Sequence, residues 1–339
     1  MNYIKMSPLT GRVGYGGGGT GLTFNSSGLP KYSGDRALCH GGNSITNSYD
    51  DRIDYVSIAT TNNWSDFGDL HVAVRGSASG FGYGRAVNGG GGSTGSGTGT
   101  YENQIQYHSV ATTGDASDLG NLDVHRRECG CASDGLTIMW FAGQQAANDD
   151  YTKSTSWIDA ATGSNATAGG NAANDERKGM GSVSNSLRAV YASGHTGSSY
   201  LGMMDYFTLG NRTGSGTDFG DLQDDKYAVG GAQDATRGLF AGGANGGFQN
   251  TIDFITVQTA SNGTNFGDLQ ESRMNLGACG DHETGRAYFY GGQVPSSTSG
   301  HNNERSKTSE YVSVQTLANG TFGGDLTDWR QLHASCSGD

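Results

Sequence analysis

The chain has 339 residues, a formal net charge of −12 and no run of Lys or Arg that could serve as a counterion-releasing footprint, which argues against nucleic-acid binding. Fifty-nine residues are Gly and three are Pro, far above the roughly 7% Gly of an average protein. No collagen-like G-X-Y period accompanies that glycine, and Tyr and Phe recur at regular places, so short strands joined by Gly-rich turns remain.

No apolar stretch approaches the roughly 18 residues that a membrane span requires. The N-terminal "MNYIKMSPLTGRVGYGGGG" has no apolar core of a secretory signal, so synthesis in a cytoplasm without membrane insertion is expected.

In chain order, the first expected strands are "NYIKMSPL" (2–9) and "VGYGGGG" (13–19). A repeat then begins. Arg36 and Arg85 stand 49 residues apart, as do Arg188, Arg237 and Arg286, and each opens a segment ending in small residues: "RALCHGG", "RAVNGG", "RAVYASG", "RGLFAGG", "RAYFYGG". "IMWFAGQ" (138–144) is the divergent member. A Gly/Ser/Asn-rich loop follows each, then an alternating strand: "RIDYVSIAT", "NQIQYHSVAT", "TSWIDAAT", "MMDYFTL", "TIDFITVQT", "SEYVSVQT". Next comes "FGDL" (67–70, 219–222, 266–269) or its relatives "LGNL" and "GGDL", where Phe and Leu pack inward around a tight turn or bulge. A last short segment such as "SRMNLGACGDHETG" (272–285) leads to the next Arg.

Four short strands in about 50 residues, repeated, describe a propeller blade, a sheet that buries its faces against its neighbours. Six units fit between Arg36 and Asp339. The terminal "WRQLHASC" (329–336) matches an opening strand, and residues 1–35 read as the later strands of the same blade. The expected fold is therefore all-β: a single seven-bladed propeller over residues 1–339, about 49 residues per blade, with 1–35 and 327–339 sharing the closing blade.

The order "R-x-x-L-x-A-C", a strand ending in Gly-Gly and an aromatic-rich alternating strand resembles the kelch repeat over essentially the whole chain. The wording "IDYVSIATT…DFGDL…R…RGLFAGG" is similar to kelch-like arrays in structural proteins of tailed bacteriophages, notably phages of cyanobacteria. The resemblance implies a virion component of head, tail or tail fibre. Its expected partners are other virion proteins, copies of itself or a host-surface glycan.

Cys39, Cys129, Cys131, Cys279 and Cys336 form no disulfide framework and read as small buried hydrophobes. Asp54, Asp205 and Asp253, Asp69, Asp221, Asp268 and Asp325, and the repeated Arg residues read as structural Arg–carboxylate or Asp–backbone ties between strands or blades. The competing reading is a ring of carboxylates holding a cation in a central channel. The eight His residues are scattered without ligand-like spacing, and no phosphate loop, nucleophile elbow or sialidase box occurs, so no catalytic, cofactor or metal residue is expected.

Function is expected where the repeat breaks. One break is "QVPSSTSGHNNERSKTSE" (293–310), with His301, Asn302, Asn303 and Arg305. That loop is expected to contact a neighbouring protein or a surface glycan, and the other break is "QQAANDDYTKSTSW" (144–157), with Tyr151, Lys153 and Trp157 as anchors of an interface with another protein. The expected function is non-enzymatic: a structural or adhesive virion part acting through propeller loops. The alternative is a carbohydrate-binding propeller for host recognition.

Overall fold

The computed structural model describes residues 30–93, 100–146, 150–296 and 304–338, and every regular element among them is a strand. Six antiparallel sheets stand around one axis, where seven were expected; four have four strands, and two carry a short fifth strand, Arg126–Arg127 or Arg330–Gln331. Blade 1 consists of Ala334–Gly338, Arg36–Ser44, Asp50–Ser57 and Ser65–Val74, from the axis outward. Blade 2 holds Ala78–Gly82, Arg85–Gly89, Gln104–Ser109 and Ser117–Asn121, and blade 3 Gly130–Ser133, Thr137–Gln145, Tyr151–Asp159 and Thr167–Asn171. Blade 4 holds Gly181–Ser184, Arg188–His195, Tyr200–Thr208 and Thr217–Lys226. Blade 5 holds Gly230–Gln233, Arg237–Ala241, Thr251–Thr256 and Thr264–Asp268; blade 6 holds Gly277–Asp281, Arg286–Tyr290, Thr308–Ser313 and Thr321–Asp325.

Six blades form because of where the C-terminal strand pairs. The C-terminal strand does open a blade, but it pairs with the first Arg unit, Leu38 opposite Cys336 and Cys39 opposite Ser335. The Arg36 unit takes its innermost strand from the C-terminal segment, so that strand completes a blade already counted. The expected strands at 2–9 and 13–19 lie outside the described residues.

The six innermost strands touch in a closed circle, and each interface between neighbouring blades carries one apolar cluster. Phe67, Phe219 and Phe266 of the "FGDL" segments are buried there, and so is Trp64. All five cysteines are buried free thiols. The innermost strands consist largely of Gly, Ala, Ser and Cys because six blades bring their backbones together: a Cβ on Gly280 would stand 2.0 Å from the Gln233 carbonyl oxygen.

The Gly-Gly pairs end the second strands with two successive positive-φ residues, as at Gly242 (69°) and Gly243 (100°). Blades 3 and 4 keep this conformation with Ala142 (50°) and Ser193 (73°) in the first position. The turn aims the next amide at the following blade: Gly243 N–H donates to Arg273 O (2.8 Å) and Gly292 N–H to Arg330 O (2.8 Å). A second seam joins the outer strands. Asp268 O accepts from Gly320 N–H (2.8 Å), and Asp268 N–H donates to Asn319 Oδ1 (3.0 Å). Asp69, Asp221 and Asp325 make the same pair of bonds, so their backbones, not their carboxylates, carry the repeated role.

Candidate binding face around the channel mouth

The connection into each blade places a residue in the left-handed region at the top of the axis: Gly76, Glu128, Gly179, Ala228, Asn275 and Leu332. Each donates its amide to the carbonyl of the residue before it around the ring, at 2.6–3.0 Å, and Gly76 N–H donates to Leu332 O to close the circle. Six blades are thereby tied by a ring of six backbone hydrogen bonds. Below it lies a cavity of about 120 Å³ lined by Ser77, Ser79, Cys131, Ser182, His333 and other small residues of all six blades. At the lower end Tyr32 lines the channel, stacked on His282 (5.1 Å). Its segment is held by a Lys31–Glu283 ion pair (3.2 Å) and by Ser33 Oγ at 2.8 Å from His282 Nδ1.

Four residues before each innermost strand the chain carries Val74, Arg126, Arg177, Lys226, Arg273 and Arg330, all buried. The facing position of the third strand holds Gln106, Ser156, Asp205, Asp253, Glu310 and Asp54 in the same blade order. Arg177 meets Asp205 (2.8 Å), Lys226 meets Asp253 (2.9 Å), Arg273 meets Glu310 (2.7 Å), and Arg330 meets Asp54. Where the carboxylate becomes Ser156, the Arg126 guanidinium donates to Ser156 Oγ (2.8 Å) and Ser154 O (2.9 Å), and Ser156 Oγ donates to Asp123. Where it becomes Gln106, the cation becomes Val74, and the Gln106 amide bonds both backbone groups of Val72 (2.9 and 3.1 Å). Charge is matched blade by blade, as burial demands.

Asp54, Asp205 and Asp253 are thus spent in buried ion pairs and do not ring the channel. The expected Arg–carboxylate role falls to a different set of cations. Arg36, Arg85, Arg188, Arg237 and Arg286 instead lie over third-strand rings, such as Arg188 over Tyr206 at 4.1 Å, and donate to carbonyls of a neighbouring blade.

The scattered histidines also converge where spacing suggested nothing. His40 Nε2 and His108 Nε2 are 2.9 Å apart across the blade 1–2 interface, and His333 stacks flat on Tyr290 (5.3 Å). Burial pushes His108 down to about 4 and His333 to about 3. His40 is held well below the usual range by burial and then by His108, Arg330 and His333. Among the described residues no three His, Cys, Asp or Glu side chains gather as a metal site.

Aromatic–cation pairs surround the mouth on the upper face: Arg75 over Tyr49 (4.7 Å), Arg127 over Tyr101 (4.3 Å), Lys178 near Tyr151 (6.0 Å) and Lys307 over Trp329 (4.8 Å). In blade 4 the pattern becomes three rings: His195, Tyr200 and Tyr227 lie 5.2–5.5 Å apart.

Tyr151 lies on this face at the start of its strand. Arg305 also lies here, its guanidinium donating to Asn43 Oδ1 (2.9 Å) and joining blade 6 to blade 1. Lys153 is half-exposed further along the Tyr151 strand. Trp157 stands about 20 Å from Tyr151 along the strand, at the opposite face, under Arg212 (4.5 Å). Trp157 is the blade 3 member of the Arg-stacked ring set and does not share a site with Tyr151. His301, Asn302 and Asn303 lie outside the described residues. Sequence reading missed the His195–Tyr200–Tyr227 cluster because its rings come from three separate segments, none of which breaks the repeat.

The lower face has a different surface. Leu136, Leu187, Leu317 and Phe322 are exposed in turns or strand starts there, whereas Tyr200 is the exposed large ring of the upper face among the described residues.

No known protein-family model matches the chain. No curated protein sequence matches it either.

Proposed function

We propose that this propeller is a non-enzymatic structural and adhesive component of a tailed-phage particle, docked through its lower face and presenting its upper face outward. The particle assignment follows from the kelch-like phage resemblance of the repeat. The observation that carries the scaffold reading is the asymmetry of the two faces. Exposed Leu136, Leu187, Leu317 and Phe322 supply apolar contacts on the lower face, suited to neighbouring virion proteins or further copies of the chain. The upper face is polar and aromatic, and the longest connections between second and third strands, those of blades 2 and 6, leave from it. The second reading, a carbohydrate-binding propeller, is favoured by the exposed Tyr200 ring on that upper face.

Quantifying the chain by mass spectrometry in purified source particles tests the proposal. A fixed ratio to the major shell protein is expected, its value separating a many-copy head component from a few-copy tail one. Recovery of the chain solely as free protein would overturn the particle assignment.

A further inference from the structure

His195 closes the second strand of blade 4, Tyr200 opens the third, and Tyr227 lies in the connection to blade 5. Direct strand pairing sets His195 opposite Tyr200. Backbone hydrogen bonds in both directions between Lys178 and His195 fix this corner to the channel mouth. The Tyr200 and Tyr227 rings are nearly parallel (5.5 Å, 23°), and the His195 ring leans on both. Tyr200 nevertheless leaves 37% of its surface to solvent. A tyrosine braced by two rings and still partly open to solvent is a rigid platform for a ligand.

Hydrogen-bonding groups flank the platform on both sides. Lys178 Nζ meets Glu128 (3.1 Å) and Gln144 Oε1 (3.3 Å) toward the mouth. On the outer side Asp225 Oδ1 accepts the Gly202 amide (2.8 Å), and Asp224 is exposed beside it. Ala228, the residue after Tyr227, lines the central cavity, so the platform borders a concave mouth.

We propose that the Tyr200–Tyr227–His195 cluster is a subsite for a neutral hexose unit of a surface glycan. A pyranose ring presents an apolar face of C–H bonds and a rim of hydroxyls. The first suits the Tyr200 ring, and the second suits the Gln144, Lys178, Glu128 and Asp225 groups around it. Charge selects among sugars. Arg127 and Lys178 both meet Glu128 (3.7 and 3.1 Å), and Asp224 and Asp225 bring the anions to three against two cations, so uronate, sialate or phosphorylated units are disfavoured. A protein partner is the less favoured occupant here: among the described residues the other exposed large apolar side chains stand on the opposite face. The site belongs to the isolated chain, so its failure would leave the particle assignment untouched.

Saturation-transfer NMR with the full chain tests it. The probes are methyl glucoside, methyl galactoside, N-acetylglucosamine and their oligosaccharides, with glucuronate as the anionic comparison. At least one neutral sugar is expected to receive saturation through its ring protons. Tyr200→Ala should weaken binding by at least about tenfold, and Tyr200→Phe should keep it within about threefold. Phe322→Ala, on the opposite face, should leave it unchanged. No transfer to any neutral sugar, equal binding by Tyr200→Ala, or preference for glucuronate would each overturn the subsite. Loss of a co-purifying protein in Tyr200→Ala without sugar binding would assign the cluster to a protein contact instead.

Discussion

Lys226→Val should lower the unfolding free energy by about 3–5 kcal/mol, whereas Lys226→Val combined with Asp253→Gln should lower it by only about 1–2 kcal/mol. Lys226 Nζ is fully buried, 2.9 Å from the Asp253 carboxylate and 3.0 Å from Thr251 Oγ1. Removing the cation strands a buried carboxylate. Removing both charges copies an arrangement the chain already uses in blade 2. There Val74 ends a ten-residue strand, Ser65–Val74, and Gln106 bonds the backbone of Val72 two residues earlier. Lys226 likewise ends a ten-residue strand, Thr217–Lys226. The glutamine side chain introduced by Asp253→Gln would therefore find the backbone of Asp224 where Gln106 finds Val72. Urea unfolding of both single variants and the double variant gives the coupling energy directly. Additive losses would mean that the blade 2 solution does not transfer.

Acid should unfold the protein steeply. His40, His108 and His333 are held neutral by burial, His108 at about 4 and His333 at about 3, against about 6.5 in an unfolded chain. Their folded pKa values lie below the unfolded one, so the unfolded state binds protons first as pH falls. The stability they permit is complete above about pH 6.5 and is lost progressively toward pH 4. Each proton contributes about 1.4 kcal/mol per pH unit, so three approach about 4 kcal/mol per unit near pH 5. Burial raises the Asp69, Asp253 and Glu310 carboxyls, so as pH falls the folded state takes up their protons before the unfolded one and part of the slope is offset. Asp50, held down at about 2 by Arg52, adds its own loss below the unfolded carboxylate range. Urea unfolding at several pH values reads the slope. His108→Gln should reduce it by about a third, and a flat profile between pH 6 and 5 would contradict the buried histidine cluster.

Four strands per unit, the double-glycine turns and the inward "FGDL" phenylalanines were legible because repetition isolates them. The blade number was not. An unassigned N-terminal stretch and a terminal opening strand look like two parts of an extra blade. Which Arg unit the last strand pairs with is a three-dimensional question of ring circumference. The most conspicuous arginines proved to be ring-stacking residues. The charge-pairing cations hide four residues before each innermost strand, at uneven intervals, and Lys226 and Val74 blur the pattern further. The His40–His108 contact joins residues in different blades, which no local spacing encodes. Of the sequence-chosen anchors, Tyr151 and Arg305 reached the upper face. Trp157 points to the other end of its strand because strand length, not sequence proximity, separates the two.

The six-bladed ring closes through the C-terminal strand on the first Arg unit. Hydrogen exchange read by mass spectrometry on a chain ending at His333 tests it most directly. Without Ala334–Gly338, Arg36–Ser44 loses its inner partner, and the strands flanking the gap, Ala78–Gly82 and Gly277–Asp281, lose a neighbour. Protection should collapse in those three segments relative to the full chain. Protection of Arg36–Ser44 equal to that of the full chain would show that another segment supplies the inner strand, and would contradict the six-bladed closure.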